Sequence, residues 1–266
     1  MKRNGIINTL VAALLCVCAT ALYAKPGRKK YHAAKPAPAS SKKNCLCLNS
    51  AGLEKALSSY LDKHPEAVYN SLMKYQRNQM EKQKKQVDKY LKQNAKEIFT
   101  SPHDGVLGNP AGATRVLIMN DYRCPHSQKA LRMLEQLTQK NPRLKVVVKQ
   151  MPILGPNSVI AAKAAVVGHE KQRFAQVSQG LLKERQLNKA SISKVLSGVG
   201  ITSSQAESAF ADEAYEEVIK NNYRIAQTLG VQGTPALIIA NQDYSKVGFV
   251  RDFSDKESLL RLIKNQ

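Results

Sequence analysis

Two short apolar runs constrain this chain more than any other feature. Arg115-Val-Leu-Ile-Met119 and Leu144-Lys-Val-Val-Val148 are each too short for a helix and rich in β-branched residues. Between them, Pro125 to about Lys140 reads as a helix, and Asn141-Pro142 ends it. A strand–helix–strand order of this length implies a parallel pair joined by a crossover helix. The chain must therefore contain an α/β layer with helices packed on a sheet.

The C-terminal half has the same texture. Several helices are expected between about 158 and 229, with breaks at Gly180, Gly198-Val199-Gly200 and Gly230. Ala236-Leu-Ile-Ile239 reads as a strand, and Asn241-Gln242-Asp243 turns it towards Val247-Gly-Phe-Val250. Asp255 or Ser254 suits the cap of a last helix, Lys256 to Lys264. His103-Asp104-Gly105 and Gly108-Asn109-Pro110 read as turns ahead of the first strand.

Upstream the pattern is helical from Ser50 to about Phe99, with a break at His64-Pro65. The longer helix carries a thin apolar stripe, Val68, Tyr69, Leu72, Met73, Met80, Val87, Leu91 and Ile98, among Lys and Gln. So thin a stripe seldom packs alone. Residues 50–100 are expected to form a helical dimerisation arm; the alternative is a helix lying on the main domain.

The first 24 residues read as a signal peptide. Lys2 and Arg3 precede an apolar run from about Leu10 to Leu22 that ends in small residues and Ala24. Cleavage after Ala24 is expected, with Ala21 as the alternative, and Cys16 and Cys18 leave with the peptide. Leu15 and Val17 stand where a lipidated cysteine needs a small residue. Residues 25–49 form a basic linker with too few apolar side chains to offset chain entropy, and disorder is expected there. Of the net charge of +21, seven cations and no acid lie between Lys25 and Asn44. Export argues against nucleic acid as the partner of that charge; an anionic envelope surface is the better candidate, and a merely solvated face is the commonest reading of such a charge balance.

The chemistry converges on Cys124. A strand ending at Asn120-Asp121 runs into Cys124-Pro125-His126-Ser127, where a helix begins. The first turn of a helix offers unpaired N–H groups and a partial positive charge, which favour a thiolate. Pro125 fits that turn, and His126 adds a donor or a positive charge. A partly exposed thiol of lowered pKa is expected. Gly233-Thr234-Pro235, just before a strand, suits a cis proline that brings backbone beside the sulfur.

On these two motifs, residues 101–266 resemble the DsbA-like branch of the thioredoxin superfamily. Cys-Pro-His-Ser at 124–127 resembles that family's Cys-Pro-His-Cys, Gly233-Thr234-Pro235 its cis-proline loop, and residues 158–229 its inserted helical domain. The resemblance implies a thioredoxin fold preceded by a helical arm and disulfide-bearing secreted or envelope proteins as substrates. It also implies a periplasmic or surface-associated location, a redox partner in the membrane, and neither cofactor nor metal. The site it implies is Cys124, Pro125, His126, Ser127, Thr234, Pro235 and Asp121. Asp121 stands where some relatives have a buried acid that shuttles protons; capping of the helix is the other reading. Thr234 resembles isomerase and reductase relatives more than dedicated oxidases.

Ser127 departs from the family, whose members carry a second cysteine there. A hydroxyl neither closes a disulfide nor resolves one. The expectation is therefore a monothiol exchange protein of isomerase or reductase type. The alternative is a redox-weakened chaperone, adaptor or surface-binding protein. Cys45 and Cys47 remain open as resolving thiols, as links to another chain, as lipid acceptors or as adventitious surface thiols. One intervening residue strains a disulfide between them and does not suit zinc.

Overall fold

A computed structural model describes residues 50–266, apart from 252, 254 and 266. The expected signal peptide and linker, with Cys45 and Cys47, lie outside the described residues. The chain divides into two units at Tyr60/Leu61. The first contributes most of helix α1 (Ser50–Lys63), which has no buried residue. The break falls where expected, with Pro65 at the first position of α2 (Pro65–Phe99).

The second unit is built on five strands in the order β1-β3-β2-β4-β5. β2 (Thr114–Asn120) and β3 (Leu144–Gln150) are the parallel pair, in register from Thr114 with Leu144 to Asn120 with Gln150. α3 (Pro125–Lys140) is their crossover. β4 (Ala236–Ala240) runs antiparallel to β2, and β5 (Val247–Phe249) antiparallel to β4. Alternation along the strands feeds two cores. Val116, Ile118, Val146, Val148, Leu237 and Ile239 meet Leu131, Leu134 and the inserted helices on one face. Leu117, Met119, Val147 and Ile238 meet Leu91, Ile98 and Phe99 of α2 on the other. Each fully buried side chain of this kind contributes about 1.5–3 kcal/mol, and the two-sided burial explains why β2 and β3 read as unbroken apolar runs.

The insertion is α4 (Pro156–Glu170), α5 (Phe174–Lys183), α6 (Lys189–Gly198), α7 (Ser203–Ala211) and α8 (Glu213–Thr228). Capping boxes at Asn188/Ser191 and Thr202/Gln205 start α6 and α7. Asp255 is the cap of α9 (Lys256–Lys264), accepting from the N–H groups of Glu257 and Ser258 at 2.8 Å; Ser254, the other candidate, lies outside the described residues.

Three expectations need correction. Gly180 does not break a helix but lies inside α5, where a Cβ would meet Val195 Cγ1 at 2.4 Å. It is a contact glycine that lets α5 and α6 approach. Between the two expected turns there is a further strand, β1 (Gly105–Gly108), antiparallel to β3. Four residues with glycine at both ends carry no readable alternation. Gly105 must stay small, since a Cβ would sit 2.0 Å from the Phe174 ring. Finally, the end of α2 packs into the sheet core through Leu91, Ala95, Ile98 and Phe99, so the alternative reading holds for that part of the helix. Its stripe continues back through Met80, Met73, Leu72 and Tyr69, which stay exposed.

One buried ion pair supports this arrangement. Lys149, on the α2 face of β3, is fully buried and bonds Asp104 Oδ2 at 2.6 Å. Asn222 of α8 lies 3.4 Å from the ammonium through Oδ1, and its Nδ2 donates to Gln150 O at 3.1 Å.

Candidate active site

Cys124 is the N-cap residue of α3, with extended backbone (φ −79°, ψ 117°) and Pro125 as the first helical residue. Its side chain does not cap the helix, so the sulfur is left to other partners. The thiol donates to the carbonyl of Thr234 at 3.1 Å, across 110 residues of sequence. The Thr234–Pro235 peptide is cis. The two motifs therefore meet at the sulfur.

The expectation of a partly exposed thiol is corrected: Cys124 is 8 % exposed. Ser127 is fully buried on the inner face of α3, whereas Pro125 and His126 are exposed. The hydroxyls of Ser127 and Thr234 are buried and have no hydrogen-bond partner. Burial raises the pKa of Cys124, but the N–H and hydroxyl of Ser127, the hydroxyl of Thr234 and the N–H of His126 oppose it. The balance lies below the ordinary thiol value. His126 thus acts through its backbone N–H. The orphaned hydroxyls are ready donors to a thiolate, which favours the charged form.

Alkylation of Cys124 by a small reagent should therefore show a midpoint below the free-thiol value of about 8.5. Ser127→Ala should raise that midpoint, because it removes one donor to the charged form. A wild-type midpoint at or above the free-thiol value contradicts this electrostatic picture.

Asp121 is buried and binds backbone rather than capping α3. Its Oδ1 accepts from Arg123 N at 2.8 Å, and its Oδ2 from Ile153 N at 2.8 Å and Leu154 N at 3.0 Å. It ties the approach to Cys124 to the loop after β3. That loop was not legible as part of the site. It carries Ile153 and Leu154, 40 % and 44 % exposed, and Arg123 Nη1 donates to Leu154 O at 2.6 Å. Tyr122, also missed, is buried and donates to Ser178 Oγ at 3.1 Å, which pins this turn to α5.

The model of the DSBA-like thioredoxin domain matches residues 115–260, a span that contains both Cys124 and the cis-proline loop. The chain belongs to that family. Solved structures agree on the fold. Salmonella enterica Typhimurium BcfH matches with a TM-score of 0.61 at 22 % identity, over 80 % of this chain and 94 % of its own. A periplasmic thioredoxin-like protein from Salmonella enterica serovar Typhimurium matches with a TM-score of 0.55 at 27 % identity, over 66 % and 95 %. The thiol-disulfide exchange protein alpha-DsbA2 from Wolbachia pipientis gives 0.55 at 24 % identity, over 67 % and 95 %. A search of curated proteins gave no match. In this DSBA-like chain residues 124–127 read Cys-Pro-His-Ser, and Cys124 is the free cysteine among the described residues.

Proposed function

We propose that this protein is an exported thiol–disulfide exchange protein that works through the single thiol of Cys124. The observation that carries the reading is the sulfur at the start of α3, facing Thr234 O at 3.1 Å with two otherwise unpartnered hydroxyls around it. Membership of the DSBA-like family supports thiol–disulfide exchange as the chemistry. Ser127 supports the finer claim of a monothiol. The Cys124 thiolate attacks a substrate disulfide, forms a mixed disulfide and releases one substrate thiolate. A thiol elsewhere in the substrate then completes an isomerisation, or an external thiol completes a reduction. Asp121 positions the segment before the thiol, and exposed Ile153 and Leu154 offer apolar contact to unfolded chains. The substrates are disulfide-bearing proteins of the periplasm or the cell envelope.

The test is recovery of activity from a scrambled disulfide protein in a thiol-containing buffer. Wild type should speed recovery, and Cys124→Ala should match the buffer alone. Equal recovery with both proteins would sink the reading.

We further propose that the chain is a homodimer through residues 50–99. The apolar stripe of α2 that is buried at Leu91 and Ile98 is exposed at Tyr69, Leu72, Met73 and Met80. Such a ridge among basic residues is a surface for a matching ridge. Truncation at residue 100 is a poor test, because it strips Leu91, Ala95, Ile98 and Phe99 from the core. Met73→Glu/Met80→Glu should instead halve the mass seen by light scattering and leave the thioredoxin domain folded. A wild type that is already monomeric removes the claim.

A further inference from the structure

The mixed disulfide at Cys124 must be opened by a thiol that no other described residue supplies. The surface next to Cys124 has a place for one. The approach to α3, the start of α4 and the α5–α6 connection line an open cavity of about 420 Å³. Its lining is polar almost throughout and includes Arg123, Gln128, Asn157, Glu184, Arg185 and Asn188. Arg123 immediately precedes the reactive thiol and is fixed by its bond to Leu154 O. Gln128 is fixed twice, by its N–H to Cys124 O at 2.9 Å and by Nε2 to Tyr122 O at 2.7 Å. Asn157 lies in the first turn of α4 and Asn188 caps α6, so two helix starts add partial positive charge. Among the described residues no ion pair neutralises Arg123, Arg185 or Glu184. Two cations, one carboxylate and several amides therefore face one small volume flanked by Arg123, the residue before Cys124, and by Gln128, whose N–H bonds Cys124 O.

We propose that this cavity binds a small peptide thiol with two carboxylates and one ammonium, the glutathione class, and presents it to Cys124. The inference rests on the thiol–disulfide exchange proposed for that residue. The guanidinium groups of Arg123 and Arg185 suit carboxylates, which they bind in planar two-bond geometry. Glu184 suits the ammonium, and Gln128, Asn157 and Asn188 suit peptide amides. The chemistry balances as a reduction. The bound thiolate attacks the Cys124 sulfur of the mixed disulfide, and the substrate leaves as a thiolate that takes up a proton. A second peptide thiolate then attacks the first peptide's sulfur, releasing the oxidised peptide disulfide and the Cys124 thiolate. Two peptide thiols are oxidised for each substrate disulfide reduced.

Two measurements on the full chain test this. The first is calorimetric titration of Cys124→Ser with S-methylglutathione, which has no free thiol. Saturable binding is expected, weakened about tenfold by adding Arg185→Gln, the loss of one charge-assisted contact. The second is release of a peptide from its mixed disulfide with Cys124. Glutathione should act about tenfold more slowly on Arg185→Gln than on wild type, whereas 2-mercaptoethanol should release both within about twofold. Absence of binding, or an equal loss with both thiols, overturns the inference and leaves the exchange reading standing. If no mixed disulfide forms in wild type the exchange reading fails, and the titration still decides the cavity.

Discussion

Ser127→Cys should convert this protein into a dithiol oxidase. With serine, the mixed disulfide at Cys124 waits for a thiol from the substrate or from solution. With cysteine, the attacking sulfur stands one helical turn away on the buried face of α3, in place of the Ser127 hydroxyl, and the backbone N–H groups of residues 126 and 127 and the Thr234 hydroxyl still favour the Cys124 thiolate. Local attack carries a very high effective concentration, so adduct lifetimes should fall on the order of 10³-fold or more against millimolar external thiol. The new pair also closes an active-site disulfide, which wild type cannot hold at residues 124–127. Refolding of a fully reduced substrate should thus be driven by preoxidised Ser127→Cys and by neither wild type nor Cys124→Ala. The exchange replaces one oxygen by one larger sulfur at a fully buried position, a near-isosteric change that the fold should tolerate. Wild-type oxidation as fast as Ser127→Cys would place a resolving thiol elsewhere in the chain, and substitution of Cys45 and Cys47 together would show whether it is that pair. Ser127→Cys as inert as Cys124→Ala would mean that the site is not built for exchange.

The second large effect is on stability. Asp104→Asn should destabilise the protein by about 3–5 kcal/mol, because it strands the fully buried ammonium of Lys149 without its charge partner. Asn222 is 3.4 Å away and neutral, so it cannot replace the carboxylate. Lys149→Met should cost less near neutral pH than Asp104→Asn, since the remaining acid can take a proton. Burial pushes the Asp104 carboxyl up, with Lys149 opposing. Without Lys149 that opposition is lost and the folded-state pKa rises further. An acid whose pKa is raised on folding holds its proton more tightly in the folded state. Its contribution is therefore most favourable below the unfolded pKa and is lost as pH rises through the folded one. Lys149→Met should accordingly lose stability between acid and neutral pH more steeply than wild type. The double variant Asp104→Asn/Lys149→Met should recover much of the loss. Urea unfolding across pH measures all four proteins. A loss under about 1 kcal/mol in Asp104→Asn would mean that the ammonium finds water or another partner.

Much of the thioredoxin layer was legible because its strands are buried on both faces. Val116 to Met119 and Val146 to Val148 are apolar without interruption, and a periodic helix lies between them. Cys124 was legible because its neighbours in sequence, Pro125 and the strand before it, place it at a helix start. Other parts depend on contacts that local pattern does not encode. Val106 and Leu107 form a strand only because β3 offers a free edge. Gly180 has the letter of a helix breaker, yet its lack of a side chain serves the approach of Val195. Asp121 looked like a proton shuttle or a cap, and the partners it holds, Ile153 and Leu154, are more than 30 residues away. The cavity flanking the Cys124 segment draws on residues 123, 128, 157 and 184–188, which the topology alone brings together. The exposed thiol expected at the helix start is covered because Thr234 and its loop close over it, a contact spanning 110 residues.

Exchange through the single thiol of Cys124 is tested most directly by the intact mass of the protein after brief exposure to a disulfide-bearing peptide, quenched with acid, in wild type and Cys124→Ala. The expected result is a long-lived adduct of one peptide thiol on wild type, localised to Cys124, removed by reductant and absent from Cys124→Ala. Wild type that stays unmodified, or an adduct that persists in Cys124→Ala, would contradict it.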